Sequence, residues 1–191
     1  MEKLKKDFEA LRNHCSKILQ EYNLYTNLFC EQNKDILSKV AATFFTDIAE
    51  IIHRDWKLQV CKIMDRYEMH GKENITIDLI NKQLNDAGLT TNEIEQISEQ
   101  LKEYGKKIKP ARNKRIAHFD RAAQLSGQPL GGTSETELIE FLNNMQCYCD
   151  LVGNSIGIGP LGLSCSGCVG DELDLVKYLN TCNGVFNKKS S

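Results

Sequence analysis

Apolar residues spaced three and four apart recur along nearly the whole chain, and this period constrains the fold more than any other feature. In the first segment Leu4, Phe8, Leu11, Cys15, Ile18, Tyr22, Tyr25 and Phe29 fall on one stripe. A break at "EQNKD" offers Asn33 as a helix cap. The second stripe runs through Ile36, Val40, Phe44, Ile48 and Ile51 or Ile52, and continues past Trp56 toward Ile63. After a loop, a short helix is expected from about Thr76 to Ala87, although "NITIDL" alternates like a strand. A third long segment starts at Thr90, where Glu93 is placed to complete a capping box, and carries Ile94, Ile97, Leu101, Tyr104 and Ile108. The turn-rich "LSGQPLGGTSET" leads into a second capping box, Ser134 with Glu137. The stripe Leu138, Leu142, Met145, Cys149, Val152 and Ile156 follows.

Four long amphipathic segments joined in this way predict an all-α helical bundle of four to five main helices. A short last helix is expected over about Asp171–Leu179. The division expected is a bundle over residues 1–158, with a Gly- and Cys-containing segment over 159–191 packed on it. With 191 residues, 41% of them hydrophobic, one such domain can bury a sizeable core.

The net charge of −2 gives no global positive field for nucleic acid, so such contact must come from a local patch such as Lys102 to Arg121. The plain alternative for that patch is a solvated helix face. No apolar run reaches the roughly 18 residues of a membrane span. "MEKLKKDFEA" is charged and periodic, unlike a signal peptide, so a cytoplasmic protein with no membrane partner is expected. Eight cysteines in that setting are expected to stay reduced, most of them as small core residues. "SCSGCVG" puts Cys165 and Cys168 at a zinc-knuckle spacing, but a second such pair is missing. Cys147 and Cys149 would point about 160° apart on a helix. Zinc, a redox role and inert thiols all stay open there.

"PARNKRIAHFDRA" gathers arginines, an asparagine and a histidine at the end of the third stripe. Continuing that stripe puts His118 on its inward side, with Arg112 flanking. On a regular helix the two lie about 120° apart and roughly 9 Å along the axis, too far to meet over one phosphate unless the arginine bends back or a second copy contributes. Pro110 complicates the phase and favours a kink near Lys109. His118 could be a satisfied core histidine and Arg112 and Arg115 a solvated face. The chemical alternative is specific: an imidazole titrates near neutrality and can move a proton, and a guanidinium can hold a phosphate. The neighbouring Asn113 can hydrogen-bond the scissile region or fix the arginine.

"RNKRIAH" resembles the arginine–polar–four residues–histidine signature of HEPN domains. More narrowly, "RNKRIAHFDR" is similar to the U-type abortive-infection branch of that superfamily, and "DWKLQVCKIMD" and "KENITIDLINKQL" resemble its tryptophan, aspartate and asparagine–leucine landmarks. The resemblance covers most of residues 25 to 125, more loosely the helix from Ser134, and is weakest at the C-terminus. It implies a HEPN-type bundle that pairs as a homodimer with motif helices facing each other. It further implies a metal-independent endoribonuclease needing no cofactor, in phage defence or a toxin–antitoxin system with an antitoxin or other defence partner. Arg112, Asn113 and His118 match the catalytic positions, and Lys109, Lys114, Arg115 and Arg121 would contact the RNA. A non-catalytic dimerisation or partner-binding component is the alternative that the same resemblance allows. Because functional side chains rarely hold a fold together, Arg112→Ala and His118→Ala are expected to leave the melting temperature nearly unchanged.

Overall fold

The computed structural model describes residues 1–116, 121–126, 131–163 and 168–189. It is all-α apart from one two-stranded hairpin among the described residues. Four long helices dominate: α1 (Glu2–Leu28), α2 (Lys34–Ile63), α4 (Asn92–Ala111) and α6 (Glu135–Ser155). Between α2 and α4 stand the strands β1 (Glu68–Met69) and β2 (Lys72–Glu73) and the helix α3 (Ile77–Asp86). The hairpin turns on His70 and Gly71, both at positive φ (52° and 73°), as a two-residue turn matched to strand twist demands. Short α5 (Arg121–Ser126) follows α4, and α7 (Glu172–Lys189) closes the described chain. Helix α7 runs well past Leu179, so the last helix is longer than its sequence pattern predicted.

Packing divides the chain into two compact units, one of Met1–Ile18 with Lys57–Leu163 and one of Leu19–Trp56 with Ser164–Ser191. In the first unit, α1 buries Leu4, Phe8, Leu11, Cys15 and Ile18, as its stripe requires. Helix α4 buries Ile94, Leu101, Tyr104 and Ile108, and α6 buries Leu142, Met145, Cys149 and Val152. Tyr104 stacks on Phe141 with ring centroids 4.4 Å apart, pinning α4 to α6. A polar thread crosses the same core: the Tyr148 hydroxyl donates to Asn81 Oδ1 (2.8 Å), and Asn81 Nδ2 donates to Ser98 Oγ (2.9 Å). Asn81 therefore joins α3, α4 and α6, which gives the asparagine of "DLINKQL" a structural task.

Of three local expectations the short helix after Thr76 holds and the other two shift. The "NITIDL" stretch is helical from Ile77, started by Thr76, whose hydroxyl accepts from Leu79 N–H. Helix α4 is capped by Thr91, which accepts from Ile94 N–H, one residue later than the Thr90 capping box predicts. Asn33 does not cap the helix that follows it. Its amide donates back to the carbonyls of Asn27 and Leu28, closing the C-terminal end of α1. The capping box of Ser134 and Glu137 forms in full.

In the second unit, Leu28, Ile36, Leu37 and Phe45 form a small core against Phe29, Ala41, Val176 and Leu179. Helix α2 kinks at Ala41 (φ −163°, ψ 69°), so the helical phase resets there. The stripe expected to be core is consequently split. Ile36 and Trp56 are buried, whereas Val40, Phe44 and Ile51 are 49%, 57% and 52% exposed. No helix among the described residues is long and apolar enough to cross a membrane.

Candidate functional site

The site is built where α4 ends. Pro110 lies inside the helix and contributes no N–H to its ladder. The backbone N–H of Arg112 is shared between the carbonyls of Ile108 and Lys109. From Arg112 to Ile116 the chain then runs as a π-helix, a wide turn that recurs at functional sites. A π-turn advances fewer degrees per residue than an α-helix, so the angle drawn between Arg112 and His118 on a regular helix does not carry over. His118 itself lies outside the described residues.

The guanidinium of Arg112 is held from two sides. Its Nη1 donates to Asn113 Oδ1 at 2.8 Å and its Nη2 donates to Asp65 Oδ2 at 2.6 Å. The arginine and aspartate side chains are 25% and 20% exposed, so this ion pair is partly shielded from water. Asn113 thus orients the arginine, one of the two roles its chemistry offered. Asp65, at the end of "DWKLQVCKIMD", was given no role from sequence. Only the fold brings the loop after α2 to the end of α4, and no spacing rule reports that. The pair argues against the expectation that Arg112→Ala leaves the melting temperature unchanged, since its loss strands a largely buried carboxylate.

Asp65 lines two clefts. One, of about 550 Å³, is walled by Leu11, His14, Lys62, Asp65, Glu73 and Asn74. The other, of about 140 Å³, is walled by Cys61, Met64, Asp65, Lys102, Lys106 and Lys109. His14 is one of three histidines, with His53 and His70, to which the sequence assigns no role, and its ring Nε2 lies 3.2 Å from the Gln59 carbonyl oxygen. Burial pushes the Cys61 thiol up to about 11, with the Arg112 charge pulling the other way, so this sulfur stays protonated near neutrality.

The basic patch is narrower than the sequence count. Lys102 pairs with Asp78 (3.1 Å) and Glu99 (2.6 Å), Lys106 with Glu103, and Lys107 with Glu137 (2.5 Å). Those three lysines are neutralised within the chain. Lys109, Lys114 and Arg121 are exposed and make no ion pair among the described residues. The Arg115 side chain lies outside the described residues, as does Cys165. Cys147 is exposed and Cys149 buried on α6, so the two do not converge on one ligand.

A helical bundle with an Arg–Asn pair at the distorted end of a long helix has the layout of a HEPN-type protein. The family model described as AbiU2, within the HEPN group, matches residues 1–162 and takes in the whole of this site. The chain belongs to that family. The match stops short of α7, where the sequence resemblance is also weakest. No curated protein and no solved structure matches the chain significantly.

Proposed function

We propose that this protein is a metal-independent endoribonuclease of bacterial phage defence or of a toxin–antitoxin system, acting as a homodimer. The RNA ribose 2′-oxygen attacks the adjacent phosphorus, and the 5′-oxygen of the next nucleotide leaves. The 2′-proton passes to a base and the leaving oxygen receives one, with His118 as the proton-transfer group. Arg112 offsets the charge gathering on the phosphorane oxygens. Lys109, Lys114, Arg115 and Arg121 hold the flanking phosphates.

The observation that carries this reading is the two-sided clamp on Arg112. A guanidinium has five N–H donors, and the bonds to Asn113 and Asp65 use two of them while fixing the plane of the group. An arginine held this way is prepared for a phosphate, and little ordering remains when substrate arrives. The motif supplies an imidazole and a guanidinium, with Asp120 the nearest carboxylate in sequence. Asp65, the carboxylate that the fold adds, is engaged by Arg112, and it and Asp120 do not make the carboxylate cluster that a pair of magnesium ions needs.

Incubating purified protein with RNA in EDTA, beside its His118→Ala variant, tests the proposal. Cleavage should persist in EDTA, disappear in the variant and leave 2′,3′-cyclic phosphate ends. Substrates with 2′-deoxy or 2′-methoxy sugars at the cut should resist. Cleavage that stops in EDTA and returns with magnesium refutes the mechanism. The same ion pair favours a second reading, in which Asp65 neutralises Arg112 and the pair merely staples two helix ends of a non-catalytic partner-binding module. No cleavage of any RNA would favour that module.

A further inference from the structure

The larger of the two clefts that share Asp65 has no task in the phosphate chemistry. At about 550 Å³ it is of the size that holds a small organic group, and all its walls belong to one compact unit. Leu11 and Ile63, both buried, give it an apolar lining. Two further walls suit the face of a flat ring. The His14 imidazole, its Nε2 held 3.2 Å from the Gln59 carbonyl oxygen, is a surface of the kind on which unstacked bases lie. Met69 offers a polarisable thioether, which packs well against aromatic rings.

The polar groups decide which ring. Lys62 and Asp65 stand one turn apart at the end of α2, with the Asp65 N–H 3.4 Å from the Lys62 carbonyl oxygen. Asp65 gives Oδ2 to Arg112, and its Oδ1 accepts no hydrogen bond among the described residues. The Lys62 ammonium spends one of its donors on Gln59 Oε1 (3.0 Å) and makes no ion pair among the described residues. Both carboxylates of the cleft are answered, Asp65 by Arg112 and Glu73 by Lys3 (3.3 Å). Lys62 is therefore the charge left unmatched, beside an open carboxylate oxygen. Guanine offers two adjacent N–H donors, N1–H and the N2 amine, for a carboxylate, and two adjacent acceptors, O6 and N7, for a lysine. No other RNA base presents both.

We propose that this cleft receives a guanine base, with Asp65 accepting from N1–H and the N2 amine and Lys62 donating to O6 and N7. Because Asp65 also touches Arg112, the base belongs to the nucleotide beside the phosphate that Arg112 holds. That placement rests on the ribonuclease reading, whereas recognition of the base does not. The same base arrives either within an RNA strand or as a free guanine nucleotide.

Binding is measured on the full chain carrying His118→Ala, so that no strand is cut. Fluorescence anisotropy compares a short all-uridine strand with strands holding one central guanosine, adenosine or cytidine. The guanosine strand should bind on the order of tenfold tighter than the all-uridine strand, and inosine, which lacks the N2 amine, should fall between. Lys62→Met should erase the guanosine preference while leaving the all-uridine affinity within about twofold. Ala10→Trp, at an exposed position lining the cleft, should do the same by filling it, with unchanged circular dichroism. Guanosine 5′-monophosphate that displaces the strand only at millimolar concentration makes RNA the source of the base. Displacement at micromolar concentration, with no gain from the flanking uridines, makes the free nucleotide the ligand. Equal affinity for the four strands, or none for any of them, overturns the proposal. So does a Lys62→Met loss uniform across them, which makes Lys62 a phosphate contact. A guanosine preference in a protein whose wild type cuts no RNA sinks the ribonuclease reading and leaves the cleft standing. Cutting without regard to base, with equal affinities, sinks the cleft alone.

Discussion

Removing either partner of the Arg112–Asp65 pair has a cost that can be worked from its burial. Fully exposed ion pairs contribute about 0.2–1 kcal/mol, and hydrogen bonds to charged groups in shielded places about 1.5–3 kcal/mol. Side chains 25% and 20% exposed with a 2.6 Å contact fall between these limits, so about 1–2 kcal/mol is expected. The two single variants should not be equal. Asp65→Ala leaves an arginine that keeps its bond to Asn113. Arg112→Ala leaves a carboxylate just beyond the C-terminal end of α2, where the helix dipole is negative, and should cost more. For a chain of this size 1 kcal/mol corresponds to about 2–4 °C, so Arg112→Ala should melt lower by about 2–8 °C. Urea denaturation of the two single variants and the double variant closes a mutant cycle. The double variant should lose little more than Arg112→Ala alone, giving a coupling of about 1–2 kcal/mol. Additive single losses, with a coupling within about 0.5 kcal/mol, would show that the contact holds nothing together.

The thiols should separate by burial. At pH 8 iodoacetamide should label Cys147, Cys168 and Cys182 in the native protein and reach Cys15, Cys61 and Cys149 only after denaturation, read by peptide mass spectrometry. For Cys15, hydrogen bonding to the Cys149 thiol and burial both push the group well above its ordinary value. Rapid native labelling of Cys61 would contradict the packing around it. Glu137 is held at about 2, chiefly by Lys107 and then by the Ser134 cap. Its folded value is depressed, so its contribution is complete above the ordinary 4.5 and fades as pH falls toward 2. Glu137→Gln should therefore flatten the stability curve between those limits, and an unchanged acid slope counts against the assignment. Gly153→Ala would place a methyl group 2.4 Å from the Gly159 carbonyl oxygen, a backbone atom, and should cost about 1–3 kcal/mol in urea denaturation. A loss of only a few tenths would mean that the turn after α6 yields freely.

Periodicity read α1, α4 and α6 well because each has one apolar face and one core to meet. It misread α2 because that helix carries two apolar faces and a kink at Ala41 between them. A stripe drawn straight through residues 36 to 52 therefore joined positions that point apart. Asn33 was misread for a related reason. A carboxamide between two helices can accept from the next or donate to the last, and residue type alone does not say which. At the site, Arg112 and Asn113 were legible because they are adjacent. Their partner Asp65 lies 47 positions away and is joined to them only by tertiary structure. The π-helix was hidden as well, since Pro110 signals a disturbance without specifying its form.

The pairing of Lys102, Lys106 and Lys107 with neighbouring acids has a consequence for how salt should act on any RNA held at this helix. Binding gains entropy when a cation of the protein displaces ions condensed on the phosphates, but a lysine already matched to a glutamate has little to displace. Among the described residues Lys109, Lys114 and Arg121 remain, and each contributes about −0.7 to the slope of log affinity against log salt for a single strand. A slope of about −2 therefore marks an RNA engaging these three alone. A much steeper one requires the acids on α3, α4 and α6 to release their lysines as the strand arrives.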